Sequence, residues 1–257
     1  MAHVWDPDRY LLYADERGRP FVELLARVGA SDPSLVVDLG CGPGTLTRLL
    51  SQRWPAAEVR GIDSSAAMVD QAPTHAGVSF EVADLRTWQP ERPVDVLVSN
   101  ATLQWVPGHL DLLPRLVGHV AAGGWFAFQV PGNFDEASHV IRRELAAEEP
   151  YAAHTAGAAV PDAFGPRTYL EALTSLGCRV DAWETTYLHL LQGEDPVFTW
   201  VSGTGARPTL QALPDDLRER FTIEFKRRLR EAYPAARHGT VLSFRRVFVV
   251  ARLGGTS

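Results

Sequence analysis

Unbroken apolar runs and helix-spaced apolar positions take turns along this chain. The segments Val36-Val37-Asp38-Leu39, Val59-Arg60-Gly61-Ile62-Asp63, Val78 to Leu85, Val94 to Asn100 and Trp125 to Val130 are short and rich in valine. Such segments read as strands buried on both faces of a parallel sheet. Helical spacing begins after the first of them at Leu46, Leu49 and Leu50, and before it Phe21, Leu24, Leu25 and Val28 mark an amphipathic helix ending near Gly29. Further on, Glu136 to Glu149 predicts a helix, and Tyr169, Leu173 and Leu176 form a helical face closed by Gly177. Cys178 to Leu191 predicts a sixth strand. A helical region then runs from about Pro196 to Tyr233, with Leu217, Phe221, Phe225 and Leu229 four apart. Val241 to Leu253 predicts the last strand. The pattern is that of an α/β fold with a mostly parallel seven-stranded sheet and an antiparallel last strand.

Polar residues punctuate this pattern at one kind of place, the carboxyl ends of the strands. Asp38 is followed by Gly40, Gly42 and Gly44; Asp63 and Ser64 end the second strand, Asp84 and Leu85 the third, and Asn100 the fourth. Parallel sheets bind ligands along that edge. Alternating glycines let backbone amides approach a ligand that a side chain would hold away. An acid at Asp38, beside those amides, suits a ligand with a positive amino group better than a pyrophosphate, which it would repel. Asp63 lies 19 residues beyond Gly44, where a carboxylate can accept hydrogen bonds from both hydroxyls of a ribose. A nicotinamide dinucleotide site is the rival reading, but its spacing is G-x-G-x-x-G, and Thr45 occupies the position of its third glycine. No Lys-Ser/Thr pair follows the loop, which argues against a P-loop.

Composition narrows the partners. The 257 residues carry a net charge of −6 without a sustained basic run, so a nucleic-acid substrate is disfavoured. No apolar run is long enough to span a bilayer. The two cysteines, Cys41 and Cys178, have no C-x-x-C partner, and the histidines lack ligand-like spacing, so no metal site is expected. The opening residues carry no signal-peptide pattern, and a cytoplasmic, monomeric protein is the expectation.

The D-L-G-C-G-P-G loop and the acids that follow it resemble the class I S-adenosylmethionine-dependent methyltransferases from Leu35 to Val130. The resemblance implies a Rossmann-like sheet in one domain of 257 residues, with 31–132 as the cofactor-binding core. Residues 1–30 and the helical insertions 133–165 and 193–235 would form a cap. It further implies that the glycine loop and Asp38 contact the methionine part of S-adenosyl-L-methionine. Asp63 would hold the ribose, Asp84 and Leu85 would bracket the adenine, and Tyr10 would close over the amino-acid end.

Other segments sharpen the likeness. Trp5-Asp6-Pro7-Asp8-Arg9-Tyr10, Leu103-Gln104-Trp105, Gln129-Val130-Pro131-Gly132-Asn133 and Thr204-Gly205-Ala206-Arg207-Pro208 resemble those of trans-aconitate methyltransferases. That family esterifies a carboxylate of a small polycarboxylate. A tricarboxylate needs cationic anchors, and arginine's planar fork pairs with two oxygens at once. Arg207 is the leading anchor, with Arg245, Arg246, Arg143 and His139 as weaker ones. Gln104 and Gln129 would donate to a carboxylate, and Trp105 would wall the sulfonium. Two alternatives stand beside this one. One is carboxyl methylation of another small acid or of a malonyl group on an acyl carrier protein, docked on Lys226-Arg227-Arg228 and Arg230. The other is a protein that binds S-adenosylmethionine without catalysis.

Overall fold

The computed structural model describes residues 18–73 and 76–255. Among them, one compact unit is drawn from positions up to Val130, 164–185 and from Val247 onward, and a second from 131–163 and 186–246.

The first unit begins with α1 (Arg19–Ala26), whose Phe21, Leu24 and Leu25 are fully buried. Then β1 (Leu35–Leu39), α2 (Thr47–Arg53), β2 (Glu58–Asp63), the short α3 (Ala66–Val69), β3 (Val78–Val82) and β4 (Val94–Asn100) follow in alternation. A 3₁₀ turn (Leu103–Trp105) and α4 (His109–Gly118) lead to β5 (Val120–Pro131). Helix α7 (Pro166–Ser175) belongs to this unit and packs on α4, where the buried His109 Nε2 and Tyr169 hydroxyl lie 2.7 Å apart.

All five residues of β1 are buried, which fixes it as a central strand. The sheet order is β3-β2-β1-β4-β5-β7-β6, where β6 is Cys178–Leu191 and β7 is Thr240–Leu253. The first five strands pair in parallel and the last strands run antiparallel. Strand order therefore reverses between β1 and β4. That is the switch point at which an open α/β sheet forms its ligand crevice. Register sets Asp38 opposite Gly61 and Val98, and Asn100 opposite Gln129, so the polar ends of β1, β2, β4 and β5 come out at one edge.

The second unit holds α5 (Ala137–Ala146), α6 (Ala152–Thr155), α8 (Pro196–Ser202), α9 (Arg207–Ala212) and α10 (Asp215–Ala232). Its core is a cluster in which Leu217, Phe221, Phe225 and Leu229 of α10 meet Leu145, Tyr151 and Val201. The four-residue spacing legible in the sequence is that buried stripe.

Some boundaries differ from the sequence expectation. The single helical region expected over 196–233 is three helices, because Pro196 and Pro208 sit in first turns and Pro214 is a cap. A proline lacks the amide a helix interior needs, so each one starts a new helix. Strand β3 ends at Val82, leaving Asp84 in the turn beyond it. Strand β5 begins before Gly123-Gly124 rather than after, with a register shift against Val94 and Val96. A Cβ on Gly124 would lie 2.9 Å from the carbonyl oxygens of Asp95 and Ala121, so glycine marks an irregularity inside the strand. Among the described residues no helix is long and apolar enough to cross a membrane.

Candidate active site

The loop after β1 is held by the strand beside it. The N–H groups of Gly40 and Cys41 donate to the Ile62 carbonyl at 2.7 and 3.0 Å, and that of Gly44 to the Cys41 carbonyl at 3.1 Å. Gly40, Gly42 and Gly44 all have positive φ, at 75°, 55° and 71°. The three differ in what surrounds them. A Cβ on Gly40 would lie 2.1 Å from Thr102 Oγ1, and one on Gly44 would lie 2.5 Å from the Phe80 ring. A Cβ on Gly42 would meet nothing within 4 Å, so this glycine faces open space.

Asp63 ties the loop to β2. Its Oδ2 accepts from the Gly42 N–H at 2.9 Å and its Oδ1 from the Ser65 N–H at 2.9 Å. Asp38 lies deeper, 3% exposed, and its Oδ2 accepts from Thr47 Oγ1 at 2.7 Å. Burial pushes its carboxyl up to about 6, the Thr47 hydroxyl opposes that, and the charge of Asp63 adds to it. Burial, with Asp38 and Asp63 nearby, also pushes the Cys41 thiol up, so this cysteine is a packed loop residue rather than a nucleophile.

A cavity of about 250 Å³ opens beside the loop, bounded by Gly40, Asp63, Ser64, Asp84, Leu85 and Trp105 among others. Arg86 also lines this cavity, and the sequence pattern does not mark it. Its Nε donates to both oxygens of Asp84 at 3.0 and 2.9 Å and its backbone N–H to Oδ1 at 2.9 Å, which holds the Asp84 carboxyl below the usual range. The D-x-R spacing is the only trace it leaves in the sequence.

At the ends of β4 and β5, Gln129 Nε2 donates to Asn100 Oδ1 at 2.6 Å, and Gln104 Nε2 to the Ala101 carbonyl at 2.5 Å. Among the described residues Gln104 Oε1 is buried without a partner, and Trp105 is 39% exposed. Directly after Asn100, Ala101 has φ 54°, a left-handed conformation that costs a non-glycine residue roughly 1–2 kcal/mol. Thr102 spans the turn, its Oγ1 within 3.2 Å of the carbonyls of Gly40 and Asn100. Tyr10 lies outside the described residues.

In the second unit Arg207 opens α9, exposed and without a side-chain partner among the described residues. Arg143 Nη1 donates to the Phe134 carbonyl at 2.8 Å, and Arg246, 7% exposed, lies 4.7 Å from the Phe244 ring centroid. The basic run of α10 is fully occupied. Arg227 and Arg228 pair with Glu224, Glu231 and Glu148, and Lys226 and Arg230 pair with Asp195. A docking surface for an acidic carrier therefore has little free charge there. Among the described residues no group of three histidine, cysteine or acidic side chains could hold a metal ion.

A glycine loop with one glycine facing open space, an adjoining cavity edged by carboxylates, and a crevice at the β1/β4 reversal define a class I methyltransferase site. The residues fit S-adenosylmethionine: a carboxylate keeps acceptor capacity beyond one backbone N–H per oxygen, and Gly42 leaves the space a ligand needs. Residues 36–124 match the family model described as "Methyltransferase domain". Among solved structures, an S-adenosylmethionine-dependent methyltransferase from Mesorhizobium loti superposes with a TM-score of 0.51 at 20% identity, over 92% of this chain and 97% of that one. A Haemonchus contortus phosphoethanolamine N-methyltransferase bound to S-adenosylhomocysteine does so at 0.54 and 15%, over 91% of this chain and 52% of that one. Curated relatives are much nearer. The trans-aconitate 2-methyltransferase of Streptomyces avermitilis is 54% identical over 96% of both chains. That of Mycobacterium tuberculosis is 47% identical over 98% of both. The chain belongs to the trans-aconitate 2-methyltransferase family, a branch of the S-adenosylmethionine-dependent enzymes.

Proposed function

We propose that this protein transfers a methyl group from S-adenosylmethionine to one carboxylate of trans-aconitate, giving the monomethyl ester. The observation that carries this reading is that the acids around the cofactor cavity are engaged as hydrogen-bond and ion-pair acceptors. Its titratable side chains among the described residues are Asp63, Asp84 and Arg86. Asp63 has both oxygens on backbone N–H groups, and Asp84 has both on Arg86. An amine or hydroxyl acceptor would need a proton removed, whereas a carboxylate, with an ordinary pKa near ~4, is already ionised.

When bound, S-adenosylmethionine supplies an electrophilic methyl on a sulfonium, and the residues here bind, align and exclude water. Asp38 and the loop of Gly40, Gly42 and Gly44 would hold the amino-acid part, Asp63 and Ser64 the ribose, and Asp84 and Leu85 the adenine. Asn100 and Tyr10 would complete that side. Gln104, Gln129 and Trp105 would shape the acceptor's approach, and Arg207 would anchor a carboxylate that does not react. Alignment of this kind is worth roughly 7–11 kcal/mol. The same reading takes the chain as one methyltransferase domain, monomeric and cytosolic, with 133–165 and 193–235 as cap insertions.

Incubation with methyl-labelled S-adenosylmethionine and a panel of small acids tests it by mass spectrometry. The expected product is a single monomethyl ester from trans-aconitate. Tight binding of S-adenosylhomocysteine with no ester from any acid would overturn the reading in favour of a non-catalytic binder.

A further inference from the structure

Helix α5 places Ser138 and Arg142 one turn apart on its buried face, next to His139. Arg142 is 4% exposed, yet no carboxylate among the described residues pairs with it. Its Nη1 donates to Thr209 Oγ1 at 2.8 Å, and its Nε is buried without a partner among the described residues. Ser138 Oγ is buried and unpartnered too, while the Ser138 N–H donates to the Tyr233 hydroxyl at 3.0 Å. A guanidinium keeps its charge at any ordinary pH, and burying it without an anion is unfavourable. No side chain among the described residues supplies the compensating anion.

The described neighbours of Arg142 leave its charge uncompensated. A Cβ on Gly205 would lie 2.6 Å from His139 Cε1, so that backbone packs on the imidazole, and Phe134 meets the ring edge-on at 5.2 Å. Burial, then Arg142 and Arg143, push His139 down to about 4, which leaves it neutral at pH 7. Thr209, fully buried, accepts from Arg142 and so keeps its own hydroxyl proton to give.

We propose that Arg142, with the hydroxyls of Ser138 and Thr209, forms a carboxylate subsite in the second unit that holds a carboxylate of the acid substrate other than the one methylated. This rests on the polycarboxylate reading above and names a residue that sets specificity within it. The guanidinium supplies the charge and the free Nε–H, and the two hydroxyls supply neutral donors to the remaining lone pairs.

The test pairs substitutions in the protein with deletions in the substrate. Arg142→Gln, Arg142→Lys and Ser138→Ala are assayed with the tricarboxylate and with dicarboxylates each lacking one of its three carboxylates. In Arg142→Gln, KM should rise roughly 10–100-fold for every acid that retains the bound carboxylate and change less than about twofold for the one that lacks it. Dissociation of S-adenosylhomocysteine should stay at the wild-type value. Arg142→Lys keeps the charge and loses the fork, so it should show the same selective pattern at smaller amplitude even if Arg142→Gln folds poorly. An equal loss on all acids, or a loss that tracks only a lowered Tm, would overturn the subsite. Should wild type transfer no methyl, calorimetry of the tricarboxylate on S-adenosylhomocysteine-loaded protein still decides. Binding that Arg142→Gln abolishes supports the subsite, and no binding by wild type overturns it.

Discussion

The two units treat buried charge in opposite ways. In the first, acids meet donors: Asp38 has the Thr47 hydroxyl, and Asp63 has the N–H groups of Gly42 and Ser65. In the second, the solvated cations of α10 are saturated by acids, while the buried Arg142 has, among the described residues, only a threonine hydroxyl. An acid held by neutral donors, once ionised, can still receive a cationic or hydroxylated ligand. A buried base without an acid calls for an anion. The contrast matches the two sides of the proposed reaction, a sulfonium donor with an ammonium group and a polyanionic acceptor.

The largest expected effect concerns the rigidity of the first unit's loop. Gly40→Ala must hold φ 75° with a Cβ 2.1 Å from Thr102 Oγ1 and 2.6 Å from Thr102 Cβ. Strain and overpacking together should destabilise the fold by roughly 2–5 kcal/mol in denaturant unfolding. Thr102→Ala should not relieve it, since the Cβ contact persists, whereas Thr102→Gly should recover the steric part. Gly42→Ala is the counterpart. Its Cβ enters open space, so stability should fall by only about 1 kcal/mol. Binding of S-adenosylhomocysteine should nevertheless weaken sharply, because the methyl would enter the space proposed for the ligand. Unimpaired binding in Gly42→Ala would remove this glycine from the site.

A smaller effect sharpens the electrostatic half of the contrast. The Asp38 carboxyl is pushed from an ordinary 3.8 up to about 6, chiefly by burial. Between roughly pH 4 and 6 the folded chain keeps a proton that the unfolded chain has lost, so stability falls as pH rises through that window and stays lower above it. Asp38→Asn should abolish this decline, gaining at most about 3 kcal/mol at pH 8 and nothing near pH 4. The gain comes with a loss: without the carboxylate, S-adenosylhomocysteine should bind weakly at every pH. In wild type, affinity should drop as pH falls through about 6. An Asp38→Asn protein less stable than wild type at pH 8 would show that the charge is compensated, and the contrast between units would lose its first term.

How far the sequence carries depends on whether a residue's role is local. The glycine loop and the acids at Asp38 and Asp63 are legible because buried runs and alternating glycines constrain the backbone directly. The sequence pattern sets Asp84 at a strand end, but β3 stops at Val82 and the acid sits in the turn with Arg86. Arg207 stood out for its glycine and proline neighbours. Those neighbours have other reasons: Gly205 lies against His139, and Pro208 sits in the first turn of α9. Arg142 left no signal. Arg142 and Arg143 are adjacent on one helix and both could face solvent, so only the packing of α5 on α10 shows that Arg142 is the buried one. The left-handed turn at Ala101 is invisible for the same reason, since alanine gives no hint of positive φ.

The smallest effect tests the other half of the comparison, that the second unit's exposed cations are already satisfied. Arg228 makes a two-pronged pair with Glu148 at 2.8 and 3.1 Å and a further contact with Glu224 at 2.7 Å, joining α10 to the segment after α5. It is partly solvated, so Arg228→Gln should destabilise by no more than about 0.5–1 kcal/mol, and less in high salt. Arg227 is bound only to Glu224 and Glu231 of its own helix, so Arg227→Gln should shift Tm less than Arg228→Gln does. Neither substitution should change kcat/KM for a small acid, at low or high salt, because the charges removed were committed within the fold. The informative exception would be methylation of a malonyl carrier protein that both substitutions weaken and salt suppresses. That result would mean the cations exchange their internal acids for those of a partner, and the saturated surface would be a docking face after all.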